Sequence, residues 1–257
     1  MKHIKKKFQF EKQLSREDLI IMGQNWKIVS YSTSSKEKLP KGAQCHLITD
    51  TDKSILAFQI NLNGKQFFIP EPDPVLIYFN SAYGNFMHIK KQKSKLVSVL
   101  NQGVMTEAII GDLYQYFGLT NGFVIFIFTA IEAFINKSIP DNYIFSVERS
   151  NRTESYNKDR IQRHLSFDDK LNKVLQEIKG KCFSKNHPLK YQHINNLKEF
   201  RDIIVHTKDS KEGSTAFDYI YKKALSFKYE ETLHATRDLL NYYQPDYVEE
   251  CPCGKDW

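Results

Sequence analysis

The 257-residue chain reads as an α+β protein in which a β-rich N-terminal module precedes an all-α helical bundle. Three observations predict this. Apolar residues alternate with period two in short runs before residue 86, around an Asn-Gly pair. Beyond residue 104 they recur at helical spacing. Charge divides near the same place: residues 1–100 carry 16 Lys+Arg against 8 Asp+Glu, and the other 157 carry 21 against 22. The expected organisation is a basic β-rich module (1–95), a helical domain (104–243) and a short tail (244–257).

In the N-terminal module, Trp26-Lys27-Ile28-Val29-Ser30-Tyr31-Ser32 and Ser54-Ile55-Leu56-Ala57-Phe58-Gln59-Ile60 are rich in β-formers. Asn63-Gly64 separates residues 58–62 from 65–69, which predicts a hairpin, because both central positions of a type I′ turn need positive φ. The stretch Pro70-Glu71-Pro72-Asp73-Pro74 ends that strand, and residues 75–79 read as the start of another. Tyr31, Phe67, Phe68 and Tyr78 are expected to build core rather than stack on bases. Lys90, Lys91, Lys93 and Lys95 form the densest basic run after the N-terminus and read as part of the link between modules. They are candidate RNA-binding residues; solvated surface lysines are the alternative.

The helical part begins with residues 105–117 and 121–138, expected as two helices of a hairpin separated by Gly118-Leu119-Thr120, with Pro140 as the stop. The polar stretch 141–166 reads as a long loop. Phe167-Asp168-Asp169 opens a third helix ending near Gly180, Pro188 introduces a fourth to about residue 208, and the last spans roughly residues 229–243 before Pro245.

Composition excludes several classes. A hydrophobic fraction of 41% with 18 Phe and 14 Tyr supplies a core and argues against disorder. There is no Gly-rich phosphate loop and no G-x-S-x-G elbow, which argues against nucleotide and serine hydrolases. Four scattered cysteines fit free thiols in a reducing compartment. The basic N-terminus runs into Phe8-Gln9-Phe10-Glu11 rather than an apolar stretch, so a cytoplasmic location is expected. The most apolar run, residues 123–135, is interrupted by Thr129 and Glu132 and falls short of the roughly 18 residues of a membrane span. It reads as a buried helix, with no membrane partner.

The fourth helix carries the candidate chemistry. At about 100° per residue, with Ile194 at zero, Ile194, Leu197, Phe200, Ile204 and Val205 lie between about 240° and 20°. Arg201 falls inside that arc, at about 340°. A guanidinium keeps its proton, so one placed there needs an anionic partner or an interface. Asp202 and His206 lie four residues apart on the adjoining flank, where the carboxylate can orient the ring. One alternative is purely structural: Arg201 pairs with Glu132 or Asp202, and His206 ends the helix.

Leu197-Lys198-Glu199-Phe200-Arg201-Asp202-Ile203-Ile204-Val205-His206 resembles the signature of the HEPN family, an Arg followed by a polar residue, three more residues and then His. Thr129-Ala130-Ile131-Glu132-Ala133-Phe134-Ile135 resembles an earlier helix of that family, and Phe167-Asp168-Asp169-Lys170-Leu171 the start of a middle one. The resemblance covers about the last 150 residues. It implies a helical homodimer whose motif helices face each other across a two-fold axis, acting on RNA as an endoribonuclease without metal or other cofactor. His206 would handle protons, Arg201 would stabilise charge on the phosphate, and Asp202 would fix the ring or Arg201, with Glu132 in support. A toxin or antiviral defence role, with an antitoxin or regulatory partner, is what the family suggests. Some members only bind, so a non-catalytic scaffold is the rival expectation.

Two other signals are discounted. Cys251-Pro252-Cys253-Gly254-Lys255 resembles the opening of a zinc-binding tail motif, but two thiolates do not complete a tetrahedral site. Cys182, His187 and His193 match no compact ligand spacing. No metal site is therefore expected.

Overall fold

In the computed structural model, which describes residues 3–8, 11–13, 29–30, 34–35, 45–48, 53–103, 106–149, 152–207 and 217–253, Asn63-Gly64 forms the turn its sequence predicts. Asn63 has φ 53° and Gly64 φ 79°, and the Gly64 N–H donates to Asn61 Oδ1 at 3.0 Å. The turn joins two strands of a mixed sheet. Its strands are β1 (Glu11–Gln13), β2 (Val29–Ser30), β3 (Ser34–Ser35), β4 (Cys45–Ile48), β5 (Lys53–Leu62) and β6 (Lys65–Pro70). The order is β2-β4-β5-β6-β3, with β1 also on β5; β2 runs parallel to β4 and the other pairs are antiparallel. Cys45, Leu47, Ala57 and Phe68 form the core of this unit.

The expected aromatic core is met in part. Phe68 is buried, Phe67 is half-buried, and Tyr78 is half-buried on a helix rather than a strand. Tyr31 and most of the 26–32 run lie outside the described residues.

Helix α1 (Pro74–Leu100) replaces the strand expected at residues 75–79 and the link expected at the basic run. Two features of the apparent strand terminator explain this. Pro74 occupies the first helical position, where its missing N–H costs nothing, and the Asp73 carboxylate caps the Val75 N–H at 2.9 Å. Phe79, Ala82, Tyr83, Phe86, Ile89 and Leu96 then fall on one helical face and are buried. The chain accordingly divides at Leu76/Ile77, into a unit Lys5–Leu76 and a unit made of Met1–Ile4 with Ile77–Trp257, and not after residue 95.

Helix α2 (Glu107–Ser138) is continuous where a two-helix hairpin was expected. An interior glycine costs a helix only about 1 kcal/mol relative to Ala, and packing outweighs it here. Thr120, part of the expected break, is buried and accepts a hydrogen bond from the Tyr229 hydroxyl at 3.1 Å. At Gly122 a Cβ would stand 2.5 Å from Asn85 Nδ2, so the glycine admits α1 closely. By length and composition α2 is apolar enough to cross a membrane. In this fold Phe123, Val124, Ile127, Ala130, Ile131 and Ile135 are fully buried.

The described residues of 141–166 form regular elements where a long loop was expected. They form the hairpin β7 (Ile144–Arg149) and β8 (Arg152–Asn157), followed by α3 (Lys158–His164). Asn157 caps α3 by accepting from the Arg160 N–H at 3.0 Å, and Phe145 with Ile161 packs on Ile139 and Val174. The polar composition hid alternation that buries only one face.

Ser166 caps α4 (Phe167–Asp169), which continues through a π-helical turn (Lys170–Val174) into α5 (Leu175–Lys179). Gly180 closes it at φ 66°, the left-handed cap that glycine favours. Then come α6 (Phe183–Asn186), α7 (Pro188–Val205), α8 (Asp218–Ser226) and α9 (Tyr229–Tyr243). Helix α7 packs against α2 and α9, burying Ile194, Leu197 and Phe200 completely.

Candidate active site

The R-x-x-x-x-H residues occupy the C-terminal end of α7. Arg201 sits on the rim of the core rather than in it, its side chain 28% exposed. Its guanidinium stacks over the Phe128 ring of α2 at 4.4 Å, donates to Asp202 Oδ1 at 2.7 Å and approaches Glu132 Oε2 at 3.6 Å. Each contact follows from sequence. Phe128 and Glu132 are four residues apart and so share one face of α2, and a planar cation is favourable both over a ring and beside carboxylates.

His206 is the residue after the last helical turn, its N–H donating to the Asp202 carbonyl at 2.9 Å. Its side chain is exposed and borders an open depression with Asp202, Ile203 and Tyr219. Asp202 turns its carboxylate to Arg201, and no side-chain hydrogen bond from it to the His206 ring is formed among the described residues. Of the two roles expected for Asp202, the geometry has the one toward Arg201. Tyr219, which sequence spacing gave no reason to single out, borders the same depression as His206.

A second depression adjoins the first. Asn121, Ile204, Thr207, Phe217, Ile220 and Tyr221 line it, and Val205 beside it is 52% exposed. The motif end of α7 is therefore flanked by apolar side chains that the chain leaves only partly covered.

Upstream on α7, Lys198 pairs with Asp168 Oδ2 of α4 at 2.6 Å. That hydrogen bond holds the ammonium above its ordinary pKa, against the opposing effect of burial. Tyr191 donates to the same carboxylate at 3.4 Å and accepts from Asn172 at 2.7 Å. This polar clasp fixes α7 to α4 and sets the helix's orientation.

The basic run is helical and partly engaged. Lys95 pairs with Asp112 at 2.7 Å, Lys93 donates to the Leu225 carbonyl at 2.7 Å, and Lys90 approaches Glu230 at 3.4 Å. Lys91 is exposed and makes no side-chain hydrogen bond or ion pair among the described residues. The hydrogen bond from Lys95 holds the Asp112 carboxyl below its usual value.

Cys182 is buried, its Sγ 3.2 Å from the Ser184 hydroxyl. The His187 ring packs on Phe183 and Tyr242, and His193 borders a depression with Lys222, Lys223 and Lys228. Cys251 and Cys253 come together with His3; Cys-x-Cys was legible in sequence, but nothing there pointed to a histidine some 250 residues away. Comparison of the chain with models of known families, with characterised proteins and with solved structures finds no match.

Proposed function

We propose that this chain is a HEPN-type endoribonuclease that cuts RNA without metal, working as a homodimer in the manner of a toxin or defence effector. One observation carries the reading: on one helix end, a guanidinium held in place by a ring and two carboxylates lies about one and a half turns from an exposed imidazole. In the reaction, the ribose 2′-oxygen attacks phosphorus while its proton passes to an imidazole. The P–O5′ bond breaks and the leaving 5′-oxygen is protonated, giving a 2′,3′-cyclic phosphate and a 5′-hydroxyl. Arg201 offsets the charge that accumulates on the non-bridging oxygens. An isologous contact between two α7 ends brings two copies of His206 and Arg201 to one cleft, and covers Ile204 and Val205.

A second reading is favoured by the same guanidinium. Two carboxylates and a ring already occupy Arg201, which suits a non-catalytic dimeric scaffold that binds nucleic acid or a protein partner.

Incubation of purified protein with single-stranded RNA in EDTA separates the two. The enzyme leaves cyclic-phosphate ends, and His206→Ala lowers the rate by about 10²–10⁴ with the melting temperature unchanged, because the side chain is exposed. Cleavage that survives His206→Ala, or that needs magnesium, excludes the mechanism. Wild-type protein that never cuts leaves the scaffold.

A further inference from the structure

The fold closes a gap that the sequence left open at Cys251 and Cys253. Two thiolates are too few for a metal, but the structure brings a third donor from the other end of the chain. His3 Nε2 lies 3.0 Å from Cys253 Sγ, and the donor atoms of His3, Cys251 and Cys253 all lie within 4.8 Å of one another. We infer that His3, Cys251 and Cys253 form a zinc site that staples the N-terminal segment to the C-terminal one.

Three lines of geometry support this. The first is spacing. Tetrahedral zinc with Zn–S near 2.3 Å and Zn–N near 2.0 Å sets its ligand atoms about 3.5–3.8 Å apart, so the 3.0 Å His3–Cys253 pair must open slightly and no pair, all lying within 4.8 Å, has to close by more than about 1 Å. The second is backbone support. The Cys251 N–H donates to the His3 carbonyl at 2.8 Å, and Ile4 bridges Glu250 in antiparallel fashion, so the donors are held by main chain rather than by free side chains.

The third is the platform beneath them. Ile4, Tyr247 and Val248 are buried, the Tyr247 ring packs edge-on against Phe134 of α2, and Asn241 of α9 makes paired hydrogen bonds to the Val248 main chain at 2.7 and 3.0 Å. Such pre-ordering lowers the entropy that binding must overcome. His3 is buried, Cys251 half-buried and Cys253 exposed, so the open coordination position lies toward solvent.

The donor set selects the metal class. Two thiolates with one imidazole match zinc, whereas calcium and magnesium require oxygen ligands. No fourth His, Cys, Asp or Glu joins the cluster among the described residues, so water completes the tetrahedron. The site is remote in sequence from Arg201 and His206, and it is tested by binding rather than by RNA cleavage.

The experiment uses the full chain, stripped with EDTA, kept reduced and titrated with zinc chloride and, separately, with cobalt chloride. Zinc should bind one to one and raise the melting temperature, increasingly so with its concentration. Cobalt should give thiolate charge-transfer absorption and the intense visible bands of a tetrahedral complex. Cys253→Ser alters an exposed side chain and leaves the fold intact; it and His3→Gln should each weaken zinc by more than about 100-fold, beyond the 10–100-fold typical of losing a mere supporting hydrogen bond. Absence of stoichiometric zinc, a cobalt spectrum without thiolate bands, or undiminished affinity in folded His3→Gln protein would each overturn the assignment.

Discussion

The two halves of α7 differ in what covers them. In the first, Ile194, Leu197 and Phe200 are fully buried, and Lys198 and Tyr191 are tied to Asp168. In the second, Ile203 and Ile204 are half-buried, Val205 is 52% exposed, and His206 stands in solvent. The second half, with Ile203-Ile204-Val205, is the more apolar by sequence, so its greater exposure comes from what is packed against it. Arg201 sits at the join, anchored inward by Phe128 and Glu132. The first half holds the fold, and the second presents the candidate pair and partly exposed apolar side chains.

Substitution on either side of the join should separate those roles. Phe200→Ala empties a site packed at a tilt against Phe227 at 5.1 Å and should cost about 3–5 kcal/mol in urea unfolding. Val205→Asp should change monomer stability by less than about 0.5 kcal/mol, yet shift a dimer to monomer in light scattering by burying an unpaired charge in the two-fold contact. If Val205→Asp unfolds the protein, or leaves a dimer intact, the division into a structural half and an interface half is wrong.

Alkali probes the core to which the buried half belongs. Phe200 packs at a tilt on Phe227, which meets Tyr229 edge-on at 5.1 Å, and burial pushes the Tyr229 hydroxyl well above its ordinary value. Burial likewise raises Tyr116 and Tyr191, and pushes Tyr243 up to about 12. With folded values raised, the stabilisation is complete below the unfolded tyrosine pKa of about 10 and is lost as pH rises through the folded ones. Each such tyrosine contributes a slope approaching about 1.4 kcal/mol per pH unit in that window. Chemical unfolding between pH 9 and 11 (~, spanning the ordinary tyrosine pKa) should show the decline, and Tyr229→Phe should flatten it. An equal slope in that variant removes Tyr229 as a source.

The same contrast explains what the sequence made legible. The Asn63-Gly64 hairpin, the Gly180 cap and α9 were readable because turn chemistry and strong periodicity act locally. The spacing of Arg201, Asp202 and His206 was readable too, and so was the need of Arg201 for carboxylate partners. The Pro-rich stretch 70–74 misled because one pattern serves two ends: it stops β6, and Asp73-Pro74 starts α1. Gly118-Leu119-Thr120 looked like a break because local propensity says nothing of Tyr229, whose hydroxyl meets Thr120 from 109 residues away. The turn of Asp202 away from His206, and the arrival of His3 beside Cys253, depend on side-chain choices and long-range pairing that no spacing encodes.

The smallest effect expected concerns the other exposed face of the helical unit, the lysines of α1. If RNA crosses from the motif end of α7 onto this face, Lys90, Lys91, Lys93 and Lys95 contact phosphates and affinity falls with salt. Each phosphate contact contributes about 0.7 to the slope of log affinity against log salt for a single strand. Three of the four lysines already have partners within the chain. Exposed pairs of this kind are screened and readily exchanged, so a phosphate can displace them, though at a cost that lowers their share of the affinity. Lys91, which has no such contact, should contribute most. Gln keeps the helix propensity of Lys, so the quadruple Lys→Gln protein should melt close to the wild type. Its salt slope for single-stranded RNA should fall by one to three contacts' worth, and Lys91→Gln alone should account for about one contact, or roughly 0.7. An unchanged slope in the quadruple protein takes α1 out of the RNA surface and confines binding to the end of α7. A full loss of four contacts would mean that the lysine pairs give way to RNA without resistance, and that the basic face of α1 is as open to ligand as the exposed half of α7.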